Sequence, residues 1–259
     1  MDIYKITEIL AYLIIYSFLG WVLESIYKTI LQKRFVNSGV IYGPFCLIYG
    51  IGALIMYFLL DGFKDNIFIL FLMATIVMSV WEYLAGFILE RIFKVKYWDY
   101  SMHRFNFQGR ICIRTSLCWG VLGVIFTMWM HPAMIELVGQ IPSEVLMYTV
   151  LVLAVYIITD IIVSSIKVIN MEAGIVKLKE LEDVVRLKLD ELKGLRPNSK
   201  SIAAINDIIE EIKSKQEVIK GQVLKQTTRL KNAFPSMKSE EINEFLSQKL
   251  EIFKGDKKG

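Results

Sequence analysis

The chain has 259 residues, 54% of them hydrophobic and 22% charged, with a mean hydropathy of +0.46. Soluble domains carry roughly 45–50% apolar residues, so the excess points to a membrane. The small net charge of +4 forms no one-signed patch and gives no support to nucleic-acid binding. Three sparse cysteines, Cys46, Cys112 and Cys118, do not read as a disulfide framework, and no Cys/His spacing matches a zinc site. His103 and His131 read as two separate loop histidines. No cofactor or metal is expected.

Nearly all the apolar excess precedes residue 169, whereas residues 170–259 hold 18 Lys+Arg against 15 Asp+Glu. The expected organisation is therefore all-α, with a membrane domain over 1–169 and a helical cytoplasmic tail over 170–259. The N-terminus lacks the charged leader and small-residue cleavage site of a signal peptide, so the first apolar stretch should remain as a span.

About 20 apolar residues cross the hydrocarbon core at 1.5 Å per residue. Five stretches qualify: about Ile9–Tyr27, Val40–Leu60, Ile67–Leu89, Ile111–Met130 and Val145–Val168. Proline is expected to stop the fourth at His131-Pro132 and to help start the fifth at Pro142. Lys and Arg alternate along the connections. Lys28, Lys33 and Arg34 follow the first span, and only Lys64 follows the second. Arg91, Lys94, Lys96, Arg104 and Arg110 follow the third, none follow the fourth, and Lys167, Lys177 and Lys179 close the fifth. The positive-inside rule then places the N-terminus outside and the tail in the cytoplasm.

A phrase recurs. Gly20-Trp-Val-Leu-Glu24-Ser-Ile-Tyr27 matches Gly86-Phe-Ile-Leu-Glu90-Arg-Ile-Phe93, and the spacing from Gly39 to Gly50 equals that from Gly109 to Gly120, 11 residues. The pattern reads as two parallel helix-hairpin repeats, about 9–60 and 67–130, with an unpaired fifth span over 145–168. Both copies then run outside to inside.

Ionisable residues inside a span are costly and mark function by default. Glu24, Glu82 and Asp160 are such residues, with Glu90 at a boundary. Counted along the helix, they lie roughly 5, 10 and 12 Å from the cytoplasmic ends for Glu24, Glu82 and Asp160. With Arg110 and Arg114 on the same side, they are expected to form one acidic and arginine cluster open to the cytoplasm, a candidate substrate or ion pathway. A purely structural helix-packing role is the alternative. Gly39, Gly43, Pro44 and Gly50 mark either close helix packing or a locally unwound span. The aromatic and basic loop containing Trp98, Asp99, Tyr100, Asn106 and Gly109 is expected to lie at the membrane interface, where it could also meet a partner.

In the tail, Leu178, Leu181, Val185, Leu192 and Leu195 follow heptad spacing. Beyond Pro197-Asn-Ser199, Ile202, Ile205, Ile209, Ile212, Ile219, Val223 and Leu230 do so again. This predicts a coiled-coil hairpin, or pairing between protomers. Pro235 ends it, and Ser239 opens a last short amphipathic helix with Ile242, Phe245, Leu246 and Ile252. No phosphate-binding loop and no nucleophile arrangement stands out, so this chain is not expected to be an enzyme.

The strings Gly20-Trp21-Val-Leu-Glu24-Ser25, Asn37-Ser-Gly39, Tyr42-Gly43-Pro44, Tyr49-Gly50-Ile-Gly52, Glu82-Tyr83, Leu89-Glu90, Trp98-Asp99-Tyr100-Ser101 and Asn106-Phe-Gln-Gly109-Arg110-Ile-Cys112 are specific in combination. Over about residues 10–135 the chain resembles a bacterial membrane family labelled putative ABC-transporter type IV. The resemblance implies a permease subunit in the bacterial cytoplasmic membrane, served by a separate ATPase. It leaves the substrate open. Two other readings remain: a membrane scaffold recruiting partners through the coiled coil, and a membrane enzyme acting on lipid headgroups through paired carboxylates and arginine.

Overall fold

A computed structural model describes residues 3–194, 199–239 and 242. The turn predicted at Pro197 and the last amphipathic helix, Ser239 and Ile242 apart, lie outside the described residues. Among the described residues the chain is all-α except for one hairpin of two-residue strands. In order the elements are α1 (Ile3–Gln32), α2 (Leu47–Leu60, extended by a 3-10 turn at Asp61–Phe63), α3 (Ile67–Phe93), β1 (Asn106–Phe107), β2 (Ile111–Cys112), α4 (Ile113–Ile125), a π turn (Phe126–Met130), α5 (His131–Gly139), α6 (Ser143–Gly194) and α7 (Ser199–Ala233).

Among the described residues four helical stretches are long and apolar enough to cross a membrane: Ile3–Gln32, Ile67–Phe93, Ile113–Gly139 and Ser143–Glu191. The fifth apolar stretch, Leu47–Phe63, is shorter. The predicted span Val40–Leu60 thus begins seven residues late. Its first residues, Val40 to Cys46, are irregular because their amides are taken by other parts of the chain: Cys46 donates to the carbonyl of Ser17 on α1 at 2.9 Å, and Tyr42 and Gly43 donate to α6. Apolar composition reads this segment as helix, but tertiary partners win.

Pro132 does not stop the fourth span. α4 passes through the π turn into α5, and the His131 amide bonds five residues back to the carbonyl of Phe126. Widening the helix to this register relieves the clash between the proline ring and the preceding turn. His131 is consequently not a loop histidine. It is buried among Tyr12, Tyr16, Tyr57 and Phe126, with Nδ1 2.9 Å from the Tyr16 hydroxyl.

The chain divides into two compact units, residues 1–165 with 232–237, and 166–231 with 238–259. α6 is continuous through residue 165, so the expected boundary at 169 falls inside one helix. The core of the first unit is built from Tyr12, Tyr16, Met56, Leu60, Leu70, Met78 and Phe126 among others. Gly50 and Gly123 allow its helices to touch. A Cβ on Gly50 would strike Ser17 Oγ and the carbonyl of Leu13, and one on Gly123 would strike Ala74. In the second unit Met171 faces Thr227 at 3.4 Å, and a Cβ on Gly174 would lie 2.7 Å from Val223. As the position on α6 rises, its partner on α7 falls, so these two stretches run antiparallel. Ile205, Ile209, Val223 and Leu230 of the predicted heptads are buried.

Candidate functional site

Of the four acids only Glu90 meets an arginine, Arg110, while Glu24, Glu82 and Asp160 are held by other groups. Each is held by its own partners, and the loops after α1 and α3 supply most of them.

Glu82 lies mid-way along α3 and is 7% exposed. Trp119 Nε1 on α4 donates to one carboxylate oxygen at 3.1 Å, and the hydroxyl of Tyr100 donates to the other at 3.1 Å. No Lys or Arg pairs with it among the described residues. Burial, with the Glu82 carboxylate next in weight, holds the Tyr100 phenol above its ordinary range, so Tyr100 remains a donor. Around the same point Tyr49 of α2 meets Trp119, ring centroids 6.1 Å apart. These two residues occupy matched places in Leu47-Ile-Tyr49-Gly50 and Leu117-Cys-Trp119-Gly120.

Tyr100 reaches Glu82 because its loop folds back on the helices. β1 and β2 pair antiparallel, and Phe107-Gln108-Gly109-Arg110 closes them with φ of +52° and +65° at the two central residues. Positive φ at both positions defines the primed turn that suits a tight hairpin. Gly109 is required twice over, since a Cβ there would also strike Asp99 and approach Lys96 Nζ to 2.6 Å. Lys96 and Asp99 pair at 2.7 Å, Trp98 Nε1 donates to the carbonyl of Arg110 at 3.0 Å, and Asn106 accepts from the Gly109 amide at 3.0 Å. The five loop residues singled out in the sequence thus form a folded cap over α3.

Glu90 and Arg110 are an ion pair at 2.8 Å. The guanidinium stacks over Tyr83 and Phe87, 5.5 and 5.6 Å from the ring centres, and also meets Gln108. Glu24 instead pairs with Lys28 one helical turn on, at 2.6 Å, and accepts from Cys46 Sγ at 3.5 Å. Lys28 in turn lies 4.6 Å from the ring of Phe234, which packs on Tyr97. One residue touching both places shows that the C-terminal ends of α1 and α3 share one end of the first unit. Arg114 is exposed and makes no ion pair among the described residues.

Asp160 on α6 clamps the loop before α2. Its carboxylate accepts the Gly43 amide at 2.6 Å, the Tyr42 amide at 3.1 Å and the Ser164 hydroxyl at 2.9 Å. A Cβ on Gly43 would lie 2.8 Å from both Asp160 Oδ2 and the Tyr156 hydroxyl, so glycine is what admits the carboxylate. The backbone bared around Gly43 and Pro44 is occupied by the chain itself. Gly39, with φ of +100°, completes the same loop. No cluster of His, Cys, Asp or Glu among the described residues could hold a metal.

Trp119, Lys28 and Cys46 were not foreseen as partners of the acids. Lys28 carries a signal in its i, i+4 spacing from Glu24, and Trp119 in its aromatic place before Gly120, which matches that of Tyr49.

Long apolar helices, an irregular segment tied down by a helix carboxylate and a buried acid between helices define a polytopic membrane protein of transporter-like class. The family model described as Putative ABC-transporter type IV matches residues 11–165, more than half of the chain, and the protein belongs to that family. No solved structure matches it.

Proposed function

We propose that this chain is the permease-like membrane subunit of a transporter driven by a separate ATPase, with Glu82 at the centre of its polar pathway. The carrying observation is Glu82 itself: a buried carboxylate in an apolar 27-residue helix, answered by neutral donors and by no cation among the described residues. Glu90 and Glu24 each carry a cation and Asp160 is spent on clamping the Tyr42 and Gly43 backbone, whereas Glu82 meets neutral side-chain donors alone. Glu24, Glu90, Asp160, Arg110 and Arg114 flank the pathway. In this reading Leu47–Phe63 completes five spans and the two hairpins descend from a duplication. The N-terminus is outside, α6 and α7 extend a coiled-coil tail into the cytoplasm, and the subunit assembles with copies of itself.

Vesicles holding the full chain and its co-purifying ATPase should show ATP-dependent flux that Glu82→Gln abolishes while the helical content of the protein is unchanged. An intact variant with undiminished flux, or a chain that never retains an ATPase, defeats the proposal. A scaffold is the second reading, favoured by the continuation of α6 past Val168 to Gly194 with α7 antiparallel to it. Deleting 170–259 separates the two, since a permease keeps its site and a scaffold loses its whole activity.

A further inference from the structure

The sequence-matched segments of α1 and α3 each border an open cavity, and the two cavities differ in kind. Beside α1 it measures about 220 Å³ and is lined by Trp21, Val22, Ser25, Ile26 and neighbouring apolar groups. Beside α3 it measures about 410 Å³ and is lined by Phe87, Glu90, Arg91, Lys94 and Arg110. Trp21 and Ser25 match Phe87 and Arg91 in the repeated phrase, so the same place on the helix is apolar in one copy and cationic in the other. Three cations face one carboxylate there. Arg110 is committed to Glu90, which leaves Arg91 and Lys94, both exposed and in no ion pair among the described residues.

The cleft continues into an apolar strip. Val80, Leu84, Phe87 and Ile88 are 42–53% exposed and share one face of α3 with Arg91 by their spacings of three and four. From Val80 to Arg91 this strip is about 16 Å long at 1.5 Å per residue, most of the length of an acyl chain. An apolar track of that length ending in two uncommitted cations complements one kind of molecule, an amphiphile with an anionic head. We propose that the α3 cleft binds an anionic phospholipid, its phosphate against Arg91 and Lys94 and its chain along Val80–Ile88. The proposal needs a membrane around α3 but does not depend on transport, so either can fail without the other.

The test is native mass spectrometry of the full chain in detergent, offered phosphatidylglycerol, phosphatidylcholine or inorganic phosphate. The pair Arg91→Gln with Lys94→Asn removes both charges, and Asn tolerates the φ of +50° at position 94. At roughly five-fold per cation, the preference for phosphatidylglycerol should fall about thirty-fold, whereas Lys64→Gln should leave it unchanged. A folded double variant that keeps the preference overturns the proposal. So does displacement of the lipid by millimolar inorganic phosphate, which would make this a free-phosphate site. Should the double variant not fold, brominated lipids decide on the native protein. Trp98 lies against Gly86 beside the cleft, so the fluorescence that Trp98→Phe removes should be quenched more by brominated phosphatidylglycerol than by brominated phosphatidylcholine. Equal quenching refutes it.

Discussion

Gly20 to Tyr27 on α1 and Gly86 to Phe93 on α3 begin as nearly the same phrase and end in different physics. Each sets a carboxylate near the C-terminal end of an apolar helix, and each carboxylate finds a cation. Glu24 finds Lys28 on its own helix, a pairing any isolated helix could make. Glu90 finds Arg110, twenty residues away, and through it locks the hairpin that carries Tyr100 to Glu82. The glycines diverge likewise, since Gly20 packs on Tyr49 and Gly86 on Trp98. A local pair costs little to lose, whereas a tertiary pair organises everything hung on it. The α3 segment is therefore the one that organises tertiary structure around a buried acid.

The largest effect should come from the glycines that let each hairpin close. A methyl at position 50 meets the carbonyl of Leu13, which is backbone and cannot yield, as well as Ser17. A methyl at position 120 meets only side chains, Thr75 and Phe71. Gly50→Ala should cost about 3 kcal/mol and Gly120→Ala about 1 kcal/mol, the upper and lower ends of overpacking. Denaturant-induced unfolding in micelles measures both, and equal losses would mean that the two hairpins are packed alike.

Next is the tertiary ion pair. Arg110→Gln keeps a polar head but loses a charge-assisted bond to Glu90 and the stacking on Tyr83 and Phe87, and should cost about 2 kcal/mol. Because Trp98 and Tyr100 both bond to the same hairpin, the environment of Trp98 should change with it. A variant as stable as the parent, with unshifted Trp98 emission, would reduce the Glu90–Arg110 pair to surface decoration. Gly109→Ala follows, at about 1–2 kcal/mol for a left-handed position alone. It should loosen the Tyr100 contact with Glu82, seen as faster amide exchange over 98–110.

How far these features could be read beforehand depends on the range of the interaction. α1 and α3 are legible because apolar length is local, and the positions of Glu24, Glu82 and Asp160 follow from helix spacing. The start of α2 is legible only in part: Gly43-Pro44 admits a locally unwound span, but Gly43 and Asp160 are 117 residues apart and nothing in Val40–Cys46 announces which group takes its amides. Pro132 read as a stop because the rule assumes an α register, and the π turn at Phe126–Met130 changes the register. The expected acid and arginine cluster rested on shared depth alone. Depth does not specify azimuth: Glu24 and Glu82 both lie near Tyr49 and Tyr100, whereas Asp160 faces the backbone of Tyr42 and Gly43.

The smallest effect expected is at Lys28, and it isolates what the first copy lacks. An i, i+4 pair contributes about 0.3–0.5 kcal/mol and a cation–π contact at least about 0.5–1 kcal/mol, so Lys28→Gln should cost about 1 kcal/mol, half the loss at Arg110. The two contributions can be separated. Phe234 touches Lys28 but not Glu24, so a double-mutant cycle of Lys28→Gln with Phe234→Leu reads the ring alone. If the coupling is most of the loss, the Glu24 pair is nearly neutral, and Glu24 has in effect no structural claim on its cation. Glu24 would then stand closer to Glu82 than to Glu90, an acid held in a membrane helix for a reason other than packing. If the coupling is near zero, the Glu24–Lys28 pair alone accounts for the loss, and the contrast with Glu82 is sharpened.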